Sequence, residues 1–360
     1  MKVLFDARPL TIPSPGGVTR LMKAILQAVA ESLPEETCVF GTTGWKELPL
    51  GIPLLPNSQR AHLGSPNKVI SSLTSLNLAS FEQFFPKEKP DVLLFPNNGH
   101  VGSPKKPYGL VVHDLSFIVE PKWFNWRGQI WHKIVHARRL MRGADRLFAV
   151  SEWTKFALML HLEIPADKID VLPIPRQNDL VTPGPLPEQV RDKRYVLCLG
   201  RRDRRKNARC VVEAIKRLHT KSDYTNVHLV IVGGYDEALS DPRFIVLPRV
   251  DDEILYALYR GAAAFLYPSW YEGLGLPLHE AYLFGTPSVS ACTTALPDTA
   301  PTGTLFAPPS KPHLWATAIA TLLDQTKDQL KPVTPINIEP ADWNAAVEPI
   351  RAFLLKYKPV

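Results

Sequence analysis

Short apolar runs without strict polar alternation recur along the chain: KVLFD at 2–6, DVLLFP at 91–96, GLVVH at 109–113, RLFAVS at 146–151, YVLCLG at 195–200, VHLVIVG at 227–233, FIVLP at 244–248 and AAAFLYP at 262–268. Runs of this length, apolar at consecutive positions, suit strands buried on both faces, as in parallel sheets. Stretches with helical spacing lie between them, at 17–32, 129–142, 207–219, 251–260, 277–284 and 311–325. This alternation predicts an α/β chain with parallel sheets. The segment from Ile174 to Arg194 interrupts it, a polar stretch holding Pro175, Pro183, Pro185 and Pro187 with no periodicity. The domain boundary is expected there, giving units 1–175 and 194–340 joined by a Pro-rich linker at 176–193. Two such units would leave a cleft between the carboxyl ends of two sheets, where open α/β folds take their ligands. After a proline-containing loop at 331–340, Asp342 is expected to cap a terminal helix within 341–360, with Pro349 kinking or breaking it.

Composition narrows the partners more than the fold. With 360 residues, 45% hydrophobic and 21% charged, the chain has material for two cores, and neither wholesale disorder nor a small disulfide-stapled module fits. The 42 Lys and Arg against 35 Asp and Glu give +7, which favours anionic partners. Cys38, Cys198, Cys210 and Cys292 stand far apart with no C-x-x-C pair, as reduced thiols in a cytoplasmic protein do. The apolar run in MKVLFDARPL is too short for a signal peptide, and no segment reaches the about 18 uninterrupted apolar residues of a membrane span. A G-x-S-x-G, a Walker loop, an H-E-x-x-H and an Asp-x-Asp are all absent from the sequence, so no metal site is expected.

Two segments concentrate the chemistry. In 262–284 an apolar strand runs into a glycine-containing loop, YEGLG, with Pro277 at the first helical turn and Glu280 expected in that turn. Free N–H groups at such a helix start, approached closely past Gly273 and Gly275, can hold a phosphate or a sugar hydroxyl. The carboxylates of Glu272 and Glu280 can accept hydrogen bonds from a diol; a plain turn with a dipole-complementing Glu280 is the alternative. In LGRRDRRKN, at 199–207, the second signal follows another strand, and six of the nine residues from Arg201 to Arg209 are basic. Positive charge at a helix start opposes the dipole unless an anion is bound, and a diphosphate would be one. A solvated basic loop is the alternative; no aromatic interleaving suggests nucleic acid.

Weaker signals lie in the first half. Gly16 and Gly17 precede a helical stretch, His113 and Asp114 end a strand, and Ser151 suits a helix N-cap. Residues 121–142 put Trp123, Trp126 and Trp131 beside Lys122, Arg127, Lys133, Arg138, Arg139 and Arg142. That mixture suits either packing into a core or peripheral contact with a membrane at its cytoplasmic face.

Taken in order, GGVTR near the start, HDLSF at 113–117, VSEWTK at 150–155, GRRDRRKN at 200–207, VIVGG at 230–234 and YEGLGLPLHEA with its Glu-x7-Glu spacing resemble glycosyltransferase family 4. The resemblance implies a GT-B fold: two Rossmann-like domains facing a cleft, acceptor side first and nucleotide-sugar side second, with a terminal helix crossing back to the first. It implies a retaining hexosyltransferase that uses a nucleoside-diphosphate sugar, GDP-mannose first and a UDP-sugar second, and no further cofactor. The acceptor would be a glycan or lipid-linked glycan, as in surface polysaccharide or lipopolysaccharide synthesis. By the same resemblance Glu280 binds the ribose and Glu272 lies by the donor sugar. Arg201 or Arg205, with Lys206, holds the diphosphate, and the backbone of Gly273, Leu274, Gly275 and Leu276 contacts the donor sugar. Gly17 lies by the phosphates and His113 by the anomeric centre. A sugar phosphorylase or nucleotide-sugar epimerase of the same fold is the runner-up, and a non-catalytic sugar-binding or nucleic-acid-binding protein comes last.

Overall fold

All eight apolar runs become strands. In the computed structural model, which describes every residue except 12–15, 48, 176–181, 201–203, 236–238, 326–341 and 360, the chain divides into two compact units, residues 1–175 with 342–360 and residues 176–341. The first unit holds β1 (Lys2–Asp6), β2 (Thr37–Thr43), β3 (Ser58–Leu63), β4 (Val92–Phe95), β5 (Tyr108–Val112), β6 (Arg146–Ala149) and β7 (Ile169–Val171). They pair in the order β3-β2-β1-β4-β5-β6-β7, every ladder parallel. The central strands are buried on both faces, which is why their sequences read as unbroken apolar runs. Edge strand β3, SQRAHL, has no fully buried residue and carries no such run.

Helices α1 (Gly17–Glu31), α2 (Asn67–Ser75), α3 (Ser116–Val119), α4 (Trp126–Ile134), α5 (Ala137–Gly143) and α6 (Glu152–Leu162) connect these strands. The Ser151 hydroxyl caps α6 by accepting from the Thr154 N–H at 3.1 Å. The stretch 129–142 corrects the sequence expectation of one helix. The helix stops at Ile134 and restarts at Ala137, because His136 lies in the left-handed region at φ 53°.

In the second unit β8 (Tyr195–Leu199), β9 (His228–Val232), β10 (Phe244–Leu247), β11 (Ala264–Tyr267), β12 (Ser288–Ala291) and β13 (Leu305–Ala307) form another parallel sheet, ordered β10-β9-β8-β11-β12-β13. Its helices are α7 (Ala208–Leu218), α8 (Asp252–Gly261), α9 (Leu276–Leu283), α10 (Leu296–Thr299) and α11 (Pro312–Gln325). In both units the strand order reverses beside the first strand, between β1 and β4 and between β8 and β11. This is the Rossmann arrangement, whose ligand crevice opens at the carboxyl ends of the strands where the order reverses.

The terminal helix α12 (Trp343–Leu355) packs on α1, β5 and β6 of the first unit. Its Phe353 ring meets Phe148 at 5.9 Å over Gly109, where a Cβ would stand 2.7 Å from Phe148 and 3.1 Å from Phe353. Asp342 caps the helix through the Ala345 N–H at 3.0 Å. Pro349 does not break it: burial of Val347, Ile350, Phe353 and Leu354 holds the helix across a residue that costs about 3 kcal/mol in a helix interior.

Candidate functional site

The crevice between β8 and β11 is lined by the two segments richest in candidate chemistry. Beyond β8, residues 201–203, Arg201 among them, lie outside the described residues. The chain then makes a single 3-10 turn, Arg204–Lys206, and enters α7 after Asn207. The Asn207 amide donates to the carbonyls of Pro268 at 3.0 Å and Pro309 at 2.9 Å, and the Trp270 N–H donates to the Arg205 carbonyl at 2.8 Å. These bonds tie the basic turn to the loop that leaves β11.

Lys206 and Glu272 meet across that tie. The Lys206 ammonium donates to Glu272 Oε1 at 2.6 Å and to the Tyr267 hydroxyl at 2.8 Å, and sits 4.8 Å from the Tyr267 ring centroid. Both partners are buried, Lys206 with 7% of its surface exposed and Glu272 with 7%. Arg205 adds a second cation, 3.6 Å from Glu272 Oε2, while donating to the Tyr271 carbonyl at 3.1 Å. Burial pushes the Glu272 carboxyl up, but Lys206 and Arg205 pull it down further, to about 2. Glu272 is thus a carboxylate at neutral pH, and its own N–H donates to the Thr294 hydroxyl at 3.0 Å.

Gly273 to Leu276 lead from this cluster into α9. Gly275 is the N-cap at φ 89°, ψ 36°, a left-handed conformation that a side chain adopts only with strain, and a Cβ there would stand 2.8 Å from Leu296. Pro277 occupies the first turn, as the sequence indicates. Glu280 does not: it is the fifth residue of Leu276–Leu283, and no acidic residue lies in the first turn. Its distance from the helix start weakens the dipole reading. Glu280 Oε2 instead accepts from the buried Tyr259 hydroxyl at 3.2 Å, which fixes the side chain.

Gly17 and His113 belong to the first unit. Gly17 opens α1 after Gly16, with no side-chain cap on the first turn. His113 follows β5 and its Nε2 lies 2.8 Å from the Pro96 carbonyl beyond β4. A carbonyl only accepts, so Nε2 carries the proton and Nδ1 the lone pair in the neutral ring. Burial lowers the pKa of His113, opposed by that hydrogen bond and by Asp114, so the ring is neutral near pH 7. At the β1 to β4 reversal Asp6 is buried and holds Arg8 through bonds of 2.8 and 2.7 Å.

Tyr267, Thr294, Asn207 and Tyr259, which brace this machinery, were not singled out in the sequence. Tyr267 sits in a run that a buried strand explains, and Asn207 lies inside the basic cluster, whose charges drew the reading. Among the described residues no group of three or more His, Cys, Asp and Glu could hold a metal ion, and no helix is long and apolar enough to cross a membrane. All four cysteines are free thiols, Cys292 exposed and the others buried.

The family model described as glycosyl transferases group 1 matches residues 193–325. The O-antigen chain mannosyltransferase B of Escherichia coli is 25% identical over 342 residues, covering 86% of this chain and 87% of that protein. Among solved structures, sucrose-phosphate synthase from Thermosynechococcus elongatus superposes with a TM-score of 0.64 at 18% identity, covering 99% of this chain and 94% of that one. Anabaena HepE in complex with UDP and glucose does so with a TM-score of 0.62 at 16% identity, covering 99% and 97%.

Proposed function

We propose that this chain, a glycosyltransferase of the family 4 type with a GT-B fold, moves a hexose from a nucleoside diphosphate to a glycan or lipid-linked glycan in surface polysaccharide synthesis, with retention at the anomeric carbon. The observation that carries the reading is the buried Lys206–Glu272 pair, with Arg205 beside it, at the strand-order reversal of the second unit. That is the crevice where an open α/β sheet takes a nucleotide. In this reading Lys206 and Arg205, with Arg201, bind the diphosphate, and Glu272 both holds the two cations and lies by the donor sugar. Glu280, braced by Tyr259, accepts from the ribose hydroxyls, and the backbone of Gly273 to Leu276 faces the sugar. Gly17 lies by the phosphates and His113 by the anomeric centre.

The bond that breaks joins the anomeric carbon to the phosphate oxygen, and its electron pair leaves on the diphosphate. Cations already in place there stabilise the developing charge without reorganising, an effect worth several kcal/mol. No side chain is assigned as a nucleophile. Mannose, carried by GDP, is the first donor, supported by likeness to the E. coli mannosyltransferase; a UDP-sugar is the second. Peripheral contact with the cytoplasmic face of a membrane is supported by α4, where Trp126, Ile130 and Ile134 recur every fourth residue with 67%, 46% and 40% of their surface exposed.

The test is nucleotide release from GDP-, UDP- and ADP-sugars without added metal, followed by the anomeric configuration of the product. Slow release from GDP-mannose is expected. Loss of the ribose contact in Glu280→Gln should cut kcat/KM by about 10- to 100-fold, the worth of a hydrogen bond to a charged group. Turnover of no donor and no nucleotide binding would refute the reading.

A further inference from the structure

The break at His136 has a second consequence, separate from the nucleotide crevice. α3, the chain after it, α4 and the start of α5 surround a cavity of about 400 Å3 in the first unit, within the size range of small-molecule sites. One wall is aromatic: the His132 ring stacks on Phe117 at 4.3 Å and 4°, and meets the edge of Phe124 at 4.8 Å. His132 also lines the cavity, and its Nδ1 is buried without a hydrogen-bond partner. Lys133, Arg138 and Arg139 line it too, all exposed, and no acidic side chain is among its lining residues. The carboxylate acting on His132 is that of Asp114, which accepts from the Ser116 N–H at 2.9 Å and hydroxyl at 2.6 Å. Asp114 directly follows His113, and the cavity lining starts at Phe117, four residues along the chain from the residue proposed to lie by the anomeric centre.

We infer that this cavity binds a phosphorylated sugar, its ring against the Phe117–His132–Phe124 wall and its phosphate against Lys133, Arg138 and Arg139. An aromatic face suits the C–H side of a sugar ring, and the unpartnered Nδ1 suits a hydroxyl donor. Arg pairs bind phosphate oxygens in a fixed fork geometry, and a monoester carries between one and two negative charges at neutral pH. The inference rests on the transferase reading only in making this ligand the acceptor. A sugar on a lipid phosphate and a free sugar phosphate share this chemistry.

The experiment is calorimetric titration of the full chain with a hexose 1-phosphate, with methyl hexoside and with inorganic phosphate. Native protein with and without saturating GDP should bind hexose 1-phosphate alike, while Arg138→Ala with Arg139→Ala should bind it about tenfold or more weakly. Phe117→Leu should lose the preference for the sugar phosphate over inorganic phosphate. Since Arg138 and Arg139 are exposed, melting temperature should be unchanged in their variant. Polyprenyl phosphohexose in phosphatidylcholine vesicles separates the sources: tighter binding than the free sugar phosphate marks a lipid-carried acceptor, and equal binding a free one. Binding abolished by saturating GDP, unaffected by the arginine variant, or equal to bare phosphatidylcholine vesicles would overturn the inference. GDP and UDP titrations of the same samples keep failure of this cavity apart from failure of the nucleotide site.

Discussion

Lys206 and Glu272 are both withdrawn from water, and a charge in that position persists only with its partner. Removing the ammonium in Lys206→Met should therefore destabilise the protein by about 3–5 kcal/mol in urea denaturation, and adding Glu272→Leu should recover most of the loss. An equal loss in single and double variants would mean that the pair is not what holds the turn. The Glu272 carboxyl titrates near 2 in the folded chain against an ordinary 4.5. A depressed carboxyl adds stability that is full above the unfolded value, so the contribution, on the order of 3 kcal/mol, is lost as pH falls from about 4.5 towards 2. Urea midpoints across that window should fall more steeply for the native chain than for Glu272→Gln; parallel profiles would contradict it. The sequence assigned Lys206 to a diphosphate and Glu272 to a sugar through a family pattern, but not their bond to each other across 66 residues. Tyr267 was less legible still, because one buried tyrosine in an apolar run has packing as sufficient cause.

At the scale of elements, the glycine at the head of α9 carries the geometry of the loop before it. Gly275→Ala should cost about 1–3 kcal/mol through the left-handed backbone, and crowding at Leu296 should displace Gly273 to Leu276. Chemical denaturation should show that loss, and nucleotide titration a weaker affinity; an unchanged variant would mean that the loop tolerates another path. Helix α4 makes a different demand. With Trp126, Ile130 and Ile134 exposed and Arg127 and Lys133 nearby in sequence, Trp126→Glu with Ile130→Glu should abolish cosedimentation with anionic vesicles while leaving the melting temperature unchanged. Cosedimentation unaffected by the pair would refute the membrane contact. Central strands and most helices were legible because burial on two faces or one leaves its period in the sequence. β2, β3, β7, β12 and β13 were not: TCVFGTT, SQRAHL, IDV, SVSA and LFA are short, polar or rich in small residues, and their pairing is decided by neighbours. The turn at His136 left no glycine or proline to announce it.

Across the whole chain, two parallel sheets repeat one strand order, and each reversal beside its first strand carries charged groups: Asp6 with Arg8 in one unit, Glu272 with Lys206 and Arg205 in the other. The alternation of strands and helices made the fold class legible, since parallel strands require crossovers and crossovers require helices. The sugar and the acceptor were not legible, because they are read by side chains on loops that no period constrains. The central claim is that the reversal in the second unit takes a nucleoside diphosphate. Calorimetric titration of the native chain and Glu280→Gln with GDP and UDP, without metal, tests it most directly. Saturable binding at one site, tighter for GDP and weakened about tenfold or more by Glu280→Gln, is the predicted result. Failure to bind either nucleotide, or affinity indifferent to Glu280, would contradict it.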